Sequence, residues 1–230
     1  MLILAIDTAL EACSAGVLDS AAPRMLAQES LPMQRGHAEA LMPLIARVVA
    51  RAGIAFDALD RIVATTGPGS FTGLRVGLSA ARGIALATGK PAVGVSTLTA
   101  YAAPHVGENE RRAIVSAVDA RHDHVYLQVA AGNGATLVPP SVVPIAAALG
   151  AARFGPPRLV GNAAGLLAAR WPAEAEPPVL VDPQPAPDIG WVAWLGAAVT
   201  PDTAPARPLY LRAPDAKPSA APLPHPTPAS

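Results

Sequence analysis

The densest run of residues with chemical potential is Gly67-Pro68-Gly69-Ser70-Phe71-Thr72-Gly73-Leu74-Arg75-Val76-Gly77. A glycine-rich turn that opens a helix presents N–H groups with no partner inside the helix, and these can hold an anion. The P-loop spacing and its lysine are absent. Gly73, Gly77, Ala80, Ala81 and Ala85 also leave one side of the helix nearly bare of side chains, which permits close approach of another helix or strand. Chemistry alone leaves anion binding and close packing both open, and favours packing.

Other polar candidates are sparser. His37 and Glu39 stand at a helix start, without the second histidine four residues away that a zinc protease needs, so a cap or an interface contact is the simpler reading. His122-Asp123-His124 has ligand types, but a hairpin turn explains it as well, and successive strand residues point to opposite faces. Asp7 and Asp119 each end an apolar run. Cys13 is the lone cysteine, so no internal disulfide and no cysteine-held zinc can form, and it reads as a small buried hydrophobe. These residues predict no cofactor and no metal.

The charge balance narrows the function further. Seventeen basic and seventeen acidic side chains give zero net charge, whereas a protein built to grip a phosphate backbone carries a basic excess. Arg111, Arg112, Arg121, Arg153 and Arg158 are the positions to inspect for direct nucleic-acid contact, but they are scattered. The N-terminus, Met1-Leu2-Ile3-Leu4-Ala5-Ile6-Asp7, has no basic leader, and no apolar run approaches the roughly 20 residues that span a bilayer. The sequence predicts a soluble, cytoplasmic chain, with 51% hydrophobic residues to build its core.

The elements that would position these residues follow from periodicity. Strands are predicted at 2–6, 13–18 and 25–29, joined by turn chemistry as an antiparallel meander. Leu41, Ile45, Val48 and Ala52 mark a helix over 37–52, with Leu44 and Val49 widening its stripe, Pro43 early enough to be tolerated and Gly53 as the stop. A strand at 61–66 leads into the glycine-rich turn. Ser70 or Thr72 caps the next helix, which runs to about Thr88 before Gly89-Lys90-Pro91. A strand at 92–95 and a short helix at 97–103 complete a βββαβαβ order.

That order is the RNase H-like unit of the actin/hexokinase (ASKHA) class, an α/β fold that says little about function by itself. The pattern partly repeats: strands at 113–119 and 125–130, weak helices at 145–152 and 163–169, strands near 159–160 and 179–181, and a terminal helix at 189–199. Two tandem RNase H-like lobes are predicted, 1–105 and a smaller, degenerate 106–212. The proline-crowded tail, 213–230, reads as disordered from its composition.

The Gly67–Gly77 segment, with His37-Ala38-Glu39 before it and Pro91-Ala92-Val93-Gly94-Val95-Ser96-Thr97-Leu98 after it, resembles the TsaB (YeaZ) family. The similarity continues at Ala117-Val118-Asp119-Ala120-Arg121, at Val125-Tyr126 and at Pro208-Leu209-Tyr210-Leu211-Arg212, and so covers nearly all of 1–212. The resemblance implies a non-catalytic subunit in the making of threonylcarbamoyladenosine beside the tRNA anticodon. Its partners would be a catalytic paralogue, TsaD, and an ATPase, TsaE, with tRNA reached through the complex. Matching the paralogue's two metal-holding histidines onto this chain puts Thr97 and Tyr101 at their places, and neither suits a catalytic divalent ion. The turns Asp7–Ala12 and Asp119–Asp123 lack the glycines that nucleotide-binding relatives of the class use against phosphate.

On this reading the apolar stripes of 37–52 and 72–88 exceed what one lobe needs, and the excess forms a docking face or a homodimer contact. His37, Leu41, Leu44, Ile45, Val48, Phe71, Leu74, Arg75, Leu78, Ala81 and Arg82 are its predicted residues. The competing reading is a stand-alone small-molecule kinase of the actin-like class or a peptidase-like enzyme. It lacks glycine-bearing phosphate turns, a metal pair or an evident Ser-His-Asp set.

Overall fold

A computed structural model describes residues 1–109 and 111–212; the predicted disordered tail lies outside the described residues. The first seven strands and α-helices are β1 (Leu2–Asp7), β2 (Ala12–Asp19), β3 (Arg24–Pro32), α1 (His37–Ala52), β4 (Arg61–Gly67), α2 (Phe71–Thr88) and β5 (Ala92–Ser96). The short helix α3 (Thr97–Ala102) follows. The strands form one sheet in the order β3-β2-β1-β4-β5. β1, β2 and β3 are antiparallel, and β4 and β5 run parallel to β1.

Period-two alternation divides the strand residues between two faces. Leu4 and Ile6 of β1 pack with Leu44, Ile45 and Val48 of α1 and Leu78 and Ala81 of α2. Ile3 and Ala5 point the other way, into a second core. Each large apolar side chain buried there stabilises the fold by about 1.5–3 kcal/mol. α1 ends at Gly53 in the left-handed region, and Pro43 is accommodated on its exposed side. Of the two predicted caps for α2, Ser70 is the one in place, its hydroxyl oxygen accepting from Gly73 N.

The second half repeats the plan. β6 (Ile114–Arg121), β7 (His124–Ala130), β8 (Thr136–Pro144), β9 (Arg158–Val160) and β10 (Leu180–Asp182) form a sheet in the order β10-β9-β6-β7-β8. Again three strands are antiparallel and two parallel to the first. Its helices are short: α4 (Ile145–Ala148), continued by a 3₁₀ stretch to Phe154, and α5 (Ala164–Ala168). β8 is not among the predicted strands, and it contains Pro139 and Pro140, residue types that usually mark turns. The strand tolerates them at the sheet edge, where a missing N–H costs no ladder bond.

The terminal helix, α6 (Ile189–Ala198), falls in sequence within the second lobe but packs on the first. Ile189, Val192 and Ala193 fill the core formed by Ile3, Ala5, Leu18, Val63 and Val93. A Cβ on Gly196 would lie 2.2 Å from a Val63 methyl, so only glycine lets the helix come this close. The first sheet is thus covered on both faces, by α1 and α2 on one and α6 on the other. α3 spans the two halves: Leu98, Tyr101 and Ala102 pack with Ile114, Val118 and Val160.

Candidate functional site

The glycine-rich turn is occupied by the protein itself. Ser70 N donates to the Ala9 carbonyl at 2.7 Å, and the Thr8 hydroxyl donates to the Gly73 carbonyl at 2.7 Å. A Cβ on Gly69 would lie 2.3 Å from Ala9 O, and one on Gly73 would lie 2.1 Å from Thr8 O. The β1–β2 hairpin therefore lies against the start of α2 at backbone contact distance. These glycines serve packing rather than an open anion cradle.

Asp7 lies fully buried beneath this contact. Its Oδ1 accepts from Thr65 Oγ1 and from Ala9 N at 3.0 Å, while Oδ2 has no partner among the described residues. Burial raises the Asp7 carboxyl above the usual range, against the opposing pull of the Thr65 and Ala9 bonds. Asp119 makes the same local bond, accepting from Arg121 N at 2.7 Å, but is exposed. The matching acids of the two halves thus share a turn geometry and differ in environment.

His122-Asp123-His124 is a hairpin turn. Arg121, His122 and Asp123 all have positive φ, His124 Nδ1 bonds to the His122 carbonyl, and Asp123 pairs with Arg170. Thr97 is fully buried, and Tyr101 donates its hydroxyl to the Gln184 carbonyl at 2.9 Å; burial pushes its phenol pKa up. Cys13 is buried, which raises its thiol to about 11 and removes the thiolate needed of a nucleophile. Three of the inspected arginines are engaged by the chain itself. Arg158 pairs with Glu108 at 3.0 Å, Arg112 reaches the Pro156 carbonyl, and Arg153 lies over the Phe154 ring.

The predicted docking list needs correction. Leu41, Leu44, Ile45, Val48, Leu74, Leu78 and Ala81 are all buried inside the chain's own core. The stripe on α1 is wide because that helix beds on β2 and β3 and is flanked by α2, so it buries more than the usual single face. His37 is half-buried, and its Nε2 bonds to the Leu10 carbonyl at 3.1 Å, tying α1 to the hairpin. Phe71, Arg75 and Arg82 are the predicted residues that reach solvent.

What the outer side of the helix pair does present is a shallow groove of about 510 Å³ between α1 and α2. Ala38, Met42, Phe71, Arg75, Val76 and Ser79 line it. Met42 is 48% exposed and Phe71 42%. Leu86, farther along α2, is 87% exposed. Sequence reading missed Met42 because it lies off the stripe, and its signal was an apolar residue on a face otherwise small or charged. Arg47 and Arg51 on this helix are both held by Glu29 of β3 at 2.7 Å, and they draw the Glu29 carboxyl below its usual range.

The family profile of TsaD, tRNA N6-adenosine threonylcarbamoyltransferase, matches residues 29–168. The chain is 35% identical over 124 residues to the tRNA threonylcarbamoyladenosine biosynthesis protein TsaB of Haemophilus influenzae, covering 54% of this chain and 51% of that protein. The match thus spans about half the length of that curated relative. An uncharacterized protein of Mycobacterium tuberculosis is 34% identical over 218 residues, 95% of each chain. The solved structure of YeaZ from Pseudomonas aeruginosa superposes with a TM-score of 0.73 at 28% identity, over 91% of this chain and 99% of that one. With the motifs already described, these similarities place the chain in the TsaB (YeaZ) family.

Proposed function

We propose that the chain is the non-catalytic subunit of a tRNA N6-adenosine threonylcarbamoyltransferase complex, docking a TsaD-like catalytic paralogue through the outer side of α1 and α2. The groove between those helices, with Met42 and Phe71 open to solvent, is the observation that carries the reading. An exposed apolar groove rimmed by polar residues suits a protein interface. The Thr8–Ala9 contact against the start of α2, and the buried Thr97 and Tyr101, leave the chain's own residues engaged with one another rather than set out for chemistry.

In this reading a TsaE-like ATPase joins the assembly in the cytoplasm, and tRNA is reached through the complex. The same helix pair supports a homodimer when the paralogue is absent. The two halves, 1–105 and a smaller, degenerate 106–212, are lobes of the actin/hexokinase class, with the amendment that α6 is a structural part of the first. No helix among the described residues is long and apolar enough to cross a membrane.

The test is depletion of the chain in its own organism together with co-purification of the TsaD-like protein. Loss of threonylcarbamoyladenosine from tRNA and a stable complex are expected. Unchanged tRNA modification with no complex formed rules the reading out.

A further inference from the structure

Residues 204–212 form a strap around the first half of the molecule. Gly94 N donates to the Ala204 carbonyl at 2.9 Å and Pro205 bridges to Val93, so the strap begins on the free edge of β5. Leu209 N then donates to the Thr66 carbonyl at 2.8 Å, beyond which the strap reaches the start of α2. There the Tyr210 ring lies 5.7 Å from the Phe71 ring, inclined at 33°. The Arg75 guanidinium stands 3.8 Å from the Phe71 centroid. Tyr210 is 47% exposed although it is stacked.

Charge on the same side points to the kind of partner. Arg75 and Arg82 lie two turns apart on α2, and neither makes an ion pair within the described chain. On α1 the outward charges are Glu39 and the two arginines already engaged by Glu29. The surface is therefore net positive, and a second copy would set like charge against like. A guanidinium stacked on a ring keeps its edge N–H groups for a carboxylate.

We infer that Tyr210, Phe71 and Arg75 form one anchor of the docking surface, recognised by a partner helix that presents an apolar side chain beside a carboxylate. The inference rests on the docking role proposed above and adds the C-terminal strap to it. The strap's ring is the packing element, and Arg75 the charge that favours a partner surface bearing a carboxylate over a second copy of this chain.

Titration calorimetry of the full chain against the purified TsaD-like protein of the same organism tests this. Tyr210→Ala and Arg75→Glu are each expected to weaken binding by about tenfold or more, as central aromatic and arginine contacts do. Tyr210→Phe should bind like the parent, because the hydroxyl makes no bond within the described chain. Arg75→Met should flatten the salt dependence of affinity. The thermal midpoint of free Tyr210→Ala should match the parent. If Tyr210→Ala and Arg75→Glu bind within about twofold of the parent while Met42→Asp abolishes the complex, the anchor is wrong and the docking surface stands. If Met42→Asp binds normally as well, both fall.

Discussion

The Gly73 α-carbon faces the Thr8 carbonyl so closely that an added Cβ would lie 2.1 Å from the oxygen, while the Thr8 hydroxyl donates to the Gly73 carbonyl at 2.7 Å. The obstacle is backbone, which cannot swing aside as a flexible side chain does. Gly73→Ala must therefore push α2 off the β1–β2 hairpin or break the Ser70–Ala9 bond beside it. Overpacking of a tight contact costs about 1–3 kcal/mol, and the loss should fall at the upper end of that range. Urea denaturation of the variant measures it, and a midpoint equal to the parent's would show that the contact yields cheaply.

Arg61 caps a helix it does not belong to. From β4 its Nη1 donates to the carbonyls of Gly196, Ala197 and Val199 at 2.6, 3.2 and 2.8 Å, the open end of α6. A cation here also opposes the negative end of the helix dipole. Arg61→Met keeps the stem and removes the bonds, so a loss of about 1.5–3 kcal/mol is expected. Hydrogen exchange should localise the weakening to α6 and not to α1, whose packing does not involve Arg61.

The buried Asp7 makes stability depend on pH. Its folded pKa is raised above the ordinary carboxylate value of 3.8 by burial. A raised pKa means that the folded state holds its proton more tightly than the unfolded one. Its contribution is fully present below the unfolded pKa and is lost as pH rises through the folded pKa. Asp7→Asn keeps an oxygen to accept from Thr65 and Ala9 and cannot ionise. The variant's stability relative to the parent should increase as pH rises from about 4 toward neutrality. A difference that stays constant with pH would show that Asp7 is not the group responsible.

Much of the fold was legible because its signals are local. The stop of α1 at Gly53, the cap of α2 at Ser70 and the five strands of the first sheet follow from turn chemistry and periodicity. β8 was hidden because Pro139 and Pro140 resemble loop residues until an edge position is known. The placement of α6 was hidden for another reason. A helix apolar on nearly every side does not declare which sheet it covers, and the partner residues Ile3, Ala5 and Val63 lie far away in sequence. Most residues of the predicted docking row are buried in the chain's own core, and Phe71, Arg75 and Arg82 are the ones that reach solvent. Periodicity marks an apolar stripe but cannot tell a stripe that meets the chain's own sheet from one that meets another molecule.

That distinction yields a direct comparison on a single helix. Ile45 is fully buried among Leu4, Ile6 and Val48, whereas Met42, three residues earlier, is 48% exposed in the groove. Ile45→Ala leaves a cavity in the core and should cost about 2–5 kcal/mol. Met42→Ala touches nothing that holds the fold and should stay within about 0.5 kcal/mol of the parent. Binding to the TsaD-like protein should show the reverse order once measured at a temperature where both variants are folded. On the proposed docking, Met42→Ala is expected to weaken the complex and Ile45→Ala is not, because an interface contact and a core contact differ in what their removal exposes. If Ile45→Ala is neutral in thermal melts, the assignment of the α1 stripe to the chain's own core is wrong, and the original row of residues regains its place as the docking face.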